Sequence, residues 1–237
     1  MMAKRFPVCV LIPLIGAASW AADPVDLTPA EAVKGISWCG QSSLRIELGG
    51  KIVWIDPVGV SVKEKADIIL ITHGHSDHYA PSVIKGLTGP STVVLVGFDT
   101  PEKAYQRIKP GEKRTFGSLI VEAVPAYNIV KGFHPKSSGF CGFVLSAQGV
   151  RIYDAGDTER IPEMKSIRAD IVLLPLGQTY TMGSVEEAVQ AALDVKASIA
   201  LPIHYGLYEG TEADADKFVS DMKAKGVQSF KMNRISP

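Results

Sequence analysis

The chain has 237 residues, and its 25 Lys plus Arg balance 25 Asp plus Glu, for a formal net charge of zero. That balance gives no support to a nucleic-acid or anionic-membrane partner. With 46% apolar and 21% charged residues and no low-complexity segment, the composition suits one compact globular domain.

The first two dozen residues differ from the rest. Lys4 and Arg5 make a basic start, Val8 to Ala18 is apolar and uncharged, and Ser19-Trp20-Ala21 offers small residues where a signal peptidase reads. This predicts a cleaved secretory signal over residues 1–21 and a mature domain over 22–237, periplasmic or secreted, with no membrane anchor after cleavage. The apolar run is short for a membrane span and contains Pro13, and Cys9 lies inside it rather than at its end, which argues against lipid attachment. Two cysteines remain, Cys39 and Cys141. An oxidising compartment allows them to pair, but both sit in strand-like segments and read more simply as small buried residues.

Thr28-Pro29-Ala30-Glu31 predicts a short helix or connecting turn. Alternation at Leu44, Ile46 and Leu48, a Gly49-Gly50 turn and the return Lys51-Ile52-Val53-Trp54-Ile55 predict a hairpin that stops at Asp56-Pro57. Ala66-Asp67-Ile68-Ile69-Leu70-Ile71 opens a buried strand. The same design recurs later. Phe143 to Ser146, a Gln148-Gly149 turn and Val150 to Tyr153 lead to Asp154-Ala155-Gly156-Asp157, and Ala169-Asp170-Ile171-Val172-Leu173-Leu174 repeats even the Ala-Asp start. Helices are expected over Asp77–Leu87 with Pro81 in the first turn, from Thr100 onward with Thr100 as cap, and over Ser184–Val195. Ser184 and Glu187 there are spaced as in a capping box, and a last helix is expected over Glu212–Lys225, ending at Gly226.

The first strand delivers Thr72-His73-Gly74-His75-Ser76-Asp77-His78, so three of the chain's five histidines and an aspartate fall within six residues. Imidazoles and a carboxylate at this density are costly to hold together without a cation, and this is the ligand set of zinc-type ions. The pattern resembles the His-x-His-x-Asp-His signature of the metallo-β-lactamase superfamily. That resemblance spans nearly all of the mature chain, and it implies an α/β fold, a four-layer αββα sandwich of two internally similar halves, with two metal ions.

His204 ends the apolar run Ala197 to Ile203 and repeats the strand-end placement of the histidine loop, which favours a ligand. Asp157, in Gly156-Asp157-Thr158, resembles the superfamily's Gly-Asp-Thr element, whose aspartate bridges both metals. The third ligand of the first metal is either His134 or, where many members carry their histidine, Asn128. Imidazole is much the stronger zinc ligand, so His134 is preferred. The expected metal set is therefore His73, His75, Asp77, His78, His134, Asp157 and His204, with Asp77 either a ligand or the group that orients water. Zinc fits these ligands, and manganese or iron also suits carboxylate-rich sites.

The implied chemistry is hydrolysis by a metal-bound hydroxide of an ester, lactone or phosphoester in a small-molecule substrate. Ala155-Gly156-Asp157-Thr158-Glu159 and Thr179-Tyr180-Thr181-Met182, with His204-Tyr205-Gly206, look like the branch of L-ascorbate-6-phosphate lactonase-like proteins, and Tyr127, Gln178, Tyr180 and Tyr205 are candidate pocket residues. The competing expectation is a non-catalytic periplasmic protein that binds a metal or ligand on the same fold.

Overall fold

A computed structural model describes residues 25–61 and 64–235, so the expected signal segment lies outside the described residues. The first sheet runs in chain order: β1 (Ile36–Gly40), β2 (Ser43–Leu48), β3 (Lys51–Ile55), β4 (Ile68–Ile71), β5 (Val93–Val96) and β6 (Gln106–Arg107). The second comprises β7 (Lys113–Phe116), β8 (Leu119–Pro125), β9 (Cys141–Ala147), β10 (Val150–Asp154), β11 (Ile171–Pro175), β12 (Ile199–Ile203) and β13 (Gln228–Ser229), likewise adjacent in sequence order. Helices α1 (Pro29–Ala32), α2 (Pro81–Leu87), α3 (Val185–Val195) and α4 (Glu212–Ala224) flank the two sheets, and the whole is the α/β sandwich expected from the sequence.

The internal repeat has a physical basis in one aspartate per half. Asp67 accepts the Ile52 amide through its carboxylate at 2.9 Å, and its own amide donates to the Ile52 carbonyl at 2.9 Å. Asp170 does the same with Arg151, at 2.8 Å each way. Each Asp thus clips the start of a parallel strand to the return strand of a hairpin. The β2–β3 and β9–β10 pairs are antiparallel, and β3–β4–β5 and β10–β11–β12 run parallel. In both halves the parallel strands therefore end at one edge, and the loops after them converge there.

Side-chain alternation sorts the two faces of the first sheet. Val53, Ile55, Ile68 and Leu70 enter the large core, whereas Trp54, Ile69 and Ile71 enter a second cluster under α2 with Ile84 and Leu87. On the second sheet's side, α3 buries Val185, Ala188, Val189, Ala192 and Val195, and α4 buries Ala215, Phe218 and Met222. Burying each such branched or aromatic side chain contributes about 1.5–3 kcal/mol.

Three expectations change. Asp77 to Ala80 are not helical: His78 and Tyr79 amides both donate to the His75 carbonyl, and Ala80, forced extended before proline, makes Pro81 the first helical residue. No helix follows Thr100. Its hydroxyl accepts the Glu102 amide in a local turn, and the chain goes straight into β6, whose pairing with β5 wins over one exposed turn of helix. Ser184 caps α3, but the Glu187 carboxylate takes the Gly183 and Arg160 amides instead of closing the capping box on Ser184. Cys39 and Cys141 are both buried and unpaired.

Candidate metal centre

Six of the seven sequence-singled residues are buried or half-buried at the shared strand edge, and His75 lies exposed beside them. They form two clusters. His73, His75 and His134 make one; Asp77, His78 and His204 make the other; the ligand atoms in each lie within 4.8 Å of one another.

In the first cluster His73 Nε2 is 3.0 Å and His134 Nε2 is 3.1 Å from His75 Nδ1. The strand-bound His73 Nδ1 sits 3.0 Å from the Thr72 hydroxyl, and His134 Nδ1 sits 3.3 Å from the Tyr180 carbonyl, which can accept only from an N–H. The carbonyl thus holds the His134 proton on Nδ1 and turns the Nε2 lone pair toward His75. Burial holds the His73 imidazolium well below its ordinary range and lowers that of His134 as well. Three imidazole nitrogens converging at about 3 Å can share one cation.

In the second cluster His78 Nε2 and His204 Nε2 are 3.2 Å apart, and Asp77 Oδ2 is 3.6 Å from each. Although burial works against its charge, the Asp157 and Asp56 carboxylates push His78 well above the ordinary histidine range. The same opposition leaves His204 raised to about 9, with Asp157 and Asp77 the main favourable partners. Burial would raise Asp77, but the nearby His204 and His78 imidazoles bring it down to about 2.

Asp157 stands between them. Its Oδ1 is 3.3 Å from His78 Nε2 and 3.2 Å from His204 Nε2, while Oδ2 is 3.5 Å from His134 Nε2 and 3.9 Å from His73 Nε2. Oδ1 is buried without an aligned hydrogen-bond donor. A buried anionic oxygen left so is costly, and a cation removes that cost. These donors, all N and O, with one carboxylate oxygen facing each cluster, fit two divalent ions. Gly156 makes the placement possible: its φ is +63°, and a Cβ there would meet the Cys141 carbonyl at 3.0 Å and Thr72 Cγ2 at 3.2 Å.

The loop that carries His134 is held by buried groups that strand patterns did not single out. Thr158 receives the Tyr127 amide and donates to the Tyr127 carbonyl at 2.8 Å, and Glu159 accepts the amides of Ile129, Val130 and Lys131. Asn128 does not join either cluster. Its carboxamide donates to the Tyr180 carbonyl at 2.7 Å and its amide to the His134 carbonyl at 2.9 Å, so it braces the loop.

Other partners come from across the fold. Asp56 accepts from the Thr72 amide at 2.8 Å and hydroxyl at 2.6 Å and lies 2.7 Å from His78 Nδ1, which holds the ring with Nε2 turned toward the second cluster. Glu209 takes the amides of Thr179 and Tyr180 and lies 3.3 Å from His204 Nδ1, close but not aligned as a hydrogen bond. It reaches there because Gly177 has no side chain; a Cβ would fall 1.6 Å from Glu209 Oε1. Gln41, buried, places its Nε2 2.9 Å from His204 Nε2 and 3.2 Å from Asp77 Oδ2, and its Oε1 is unpartnered. The repeated acidic strand ends, Asp56 and Asp154, were the sequence signal for the first of these. Glu159, Glu209 and Gln41 carry no comparable local signal.

Six non-glycine residues among those described have positive φ, and Gln41, Asp56, His134 and His204 are four of them. Left-handed backbone costs about 1–2 kcal/mol per residue, so its concentration here marks a site built at some expense of stability.

A cavity of about 570 Å³ opens onto both clusters, with His75, Asp77, His134, Asp157 and His204 in its floor and Phe133, Tyr180 and Tyr208 in its walls. Of the expected pocket residues only Tyr180 lines it. Tyr127 turns its hydroxyl to Glu163 at 2.8 Å, Tyr205 is buried and stacked on Trp38 at 4.9 Å, and Gln178 offers its carbonyl to Lys131.

The family described as "Beta-lactamase superfamily domain" matches residues 35–204. A UPF0173 metal-dependent hydrolase of Archaeoglobus fulgidus is 32% identical over 219 residues, covering 81% of this chain and 92% of its own. One from Geobacillus thermodenitrificans is 33% identical, covering 78% and 91%. A crystal structure from Parabacteroides distasonis, named for metal-dependent hydrolysis, is 32% identical with a TM-score of 0.72 over 83% of this chain and 91% of that one. Igni18, a metallo hydrolase of Ignicoccus hospitalis, is 21% identical with a TM-score of 0.69, over 84% and 94%, and shares the fold.

Proposed function

Since the chain belongs to the metallo-β-lactamase superfamily and, within it, to the UPF0173 metal-dependent hydrolases, we propose that it holds two divalent ions and hydrolyses an ester, lactone or phosphoester of a small substrate. The supporting observation is the placement of Asp157, one oxygen toward each cluster and one of them without a hydrogen bond. The first ion is assigned His73 Nε2, His75 Nδ1 and His134 Nε2, and the second Asp77 Oδ2, His78 Nε2 and His204 Nε2. Zinc suits five imidazoles and two carboxylates. Bound together, such ions let water ionise near neutral pH and draw electron density from the scissile oxygen.

The protein's own groups supply the rest. Asp77, half-buried and anionic, is steadied by the Gln41 carboxamide and by the Ser42 hydroxyl on its backbone carbonyl at 2.8 Å. It orients the attacking water, which donates a hydrogen bond to its free oxygen. Asp56 and Glu209 keep His78 and His204 aimed into the site. The loops bearing Tyr180 and His134 are joined through Asn128, so the pocket wall and the first cluster hold their spacing together.

Two measurements test this reading. Protein purified without chelator and loaded with zinc is expected to carry two ions per chain and to cleave members of a panel of chromogenic esters, lactones and phosphodiesters. One ion or none at saturation, or two ions with no cleavage of any panel member, would favour the binding-protein alternative. Export is proposed on the segment over residues 1–21, with the mature chain beginning near Ala22. Recovery from the native envelope of a chain starting at Met1 or Met2 would refute it.

A further inference from the structure

Every wall of the cavity above the clusters that is not a metal-facing side chain is apolar, aromatic or small. Phe133 is 49% exposed and Tyr208 62% exposed, both large side chains left open to water at the mouth. Phe133 packs edge-on against Tyr180 with ring centroids 4.8 Å apart, and Leu207, beside Tyr208 in the chain, is 59% exposed. Scattered exposed hydrophobics need no explanation, but three aromatic residues around one cavity directly above a catalytic cluster do.

Charge completes the picture. Among the described residues lining the cavity there is no lysine or arginine, while Asp77 and Asp157 are in its floor. The cation that approaches from behind the wall, Lys131, is already committed: its Nζ donates to the carbonyls of Gln178 and Thr181. A second phosphate or carboxylate on the substrate, remote from the bond being cut, would meet no positive side chain, and a guanidinium or ammonium is the usual partner for such a group.

Resting on the hydrolase reading above, we propose that the substrate carries an uncharged apolar or aromatic group next to the scissile bond, and that Phe133, Tyr180 and Tyr208 hold it. This takes the substrate away from phosphorylated sugars and toward neutral aryl or alkyl esters and lactones. The rings are a suitable platform because Tyr180 and His134 are locked by the same bonds. Tyr180 receives the Asn128 carboxamide on its carbonyl and gives its amide to Glu209, so one wall ring sits on the frame that aims the first cluster. A substrate ring seated there places its reactive group at a fixed distance from the floor.

The test uses zinc-loaded protein and three hydroxamic acids that share one metal-binding head: acetohydroxamic acid, benzohydroxamic acid and the monohydroxamate of succinic acid. Titration calorimetry reads binding without requiring turnover. Benzohydroxamic acid is expected to bind about tenfold tighter than acetohydroxamic acid, as covering a ring-sized apolar surface implies. The anionic succinic tail is expected to bind no tighter than the acetyl one. In Phe133→Ala and Tyr208→Ala, substitutions at exposed positions that leave the core untouched, the phenyl advantage should shrink to about threefold or less while acetohydroxamate binding holds. Equal binding of all three, a preference for the anionic tail, or a phenyl advantage that survives in the Phe133→Ala/Tyr208→Ala double variant would overturn the inference alone. Failure of zinc-loaded protein to bind any of the three would overturn the metal-centred reading and this inference with it.

Discussion

The two ligand clusters are built from the same residue types in different proportions, and they solve the cost of burial in opposite ways. The first gathers three imidazoles around one carboxylate oxygen, and burial keeps His73 and His134 neutral. The second sets two imidazoles among Asp77, Asp157 and Asp56, and the carboxylates keep His78 and His204 protonated in the metal-free protein. One cluster lacks positive charge and the other supplies it as protons. A cation therefore enters the first by filling a gap, and enters the second by displacing protons. Asp157 belongs to both, so the difference between them is set by everything except the group they share.

The largest effect is expected where that shared group is removed. Asp157→Ala should empty both clusters, lowering metal affinity at each by more than the ~100-fold that an outer partner is worth. Metal analysis after dialysis checks this, and retention of one tightly held ion would move the bridge elsewhere. His134→Ala should separate the clusters, with the first ion lost, the second kept, and hydrolysis reduced by more than about 100-fold. Asn128→Ala is the comparison: the carboxamide braces the Tyr180 carbonyl and lies 3.5 Å from His134 Nδ1 without joining the ligand atoms, so its loss should alter substrate binding more than metal content. An Asn128 variant that loses an ion as His134→Ala does would make the carboxamide the ligand.

Asp56→Asn reaches the second cluster from behind. It removes the charge behind His78, and the second ion should weaken by about 10–100-fold, more than the first, which Asp56 reaches only through Thr72. Equal weakening of both ions in chelator competition would show that the clusters do not act separately. The remaining test is in pH. The pKa of His204 is raised to about 9 and that of His78 lies well above normal, so at neutral pH both are charged before metal binds. A ligand nitrogen must lose its proton to bind, so affinity at the second cluster should rise with pH up to about 9, by about tenfold per pH unit for each proton released. The neutral His73 and His134 predict no such rise at the first cluster above pH 7. Calorimetry in buffers of different ionisation enthalpy counts the protons, and equal release at the two clusters would contradict the comparison.

Several features were legible locally. Alternation at Leu44, Ile46 and Leu48 and the Gly49-Gly50 turn mark a hairpin because strand faces repeat every two residues. The Ala-Asp pairs at 66–67 and 169–170 mark the halves because each Asp makes the same clip. His73, His75, Asp77 and His78 are neighbours in sequence, so one tight turn brings them together whatever the rest of the chain does. The Thr100 segment failed as a helix for the complementary reason. A single capped turn has little stability of its own, and the pairing of Leu95 with Gln106 and of Val96 with Arg107, on either side of it, decides the path.

What the sequence determined by itself was the chemistry of the strand ends: which residues are ligand types, and that apolar strands deliver them to loops. Only the tertiary structure decided which of them meet. His134 reaches His75 across 59 positions of sequence, from a loop held by Glu159, Thr158 and Asn128 and through a left-handed backbone that no periodicity announces. Gln41 comes to His204 over 163 positions, and Glu209 reaches Tyr180 only where Gly177 leaves room. Periodicity records the face a side chain takes within its own element. Contacts across the site depend on strand order, register and the packing of two sheets, which are properties of the whole chain.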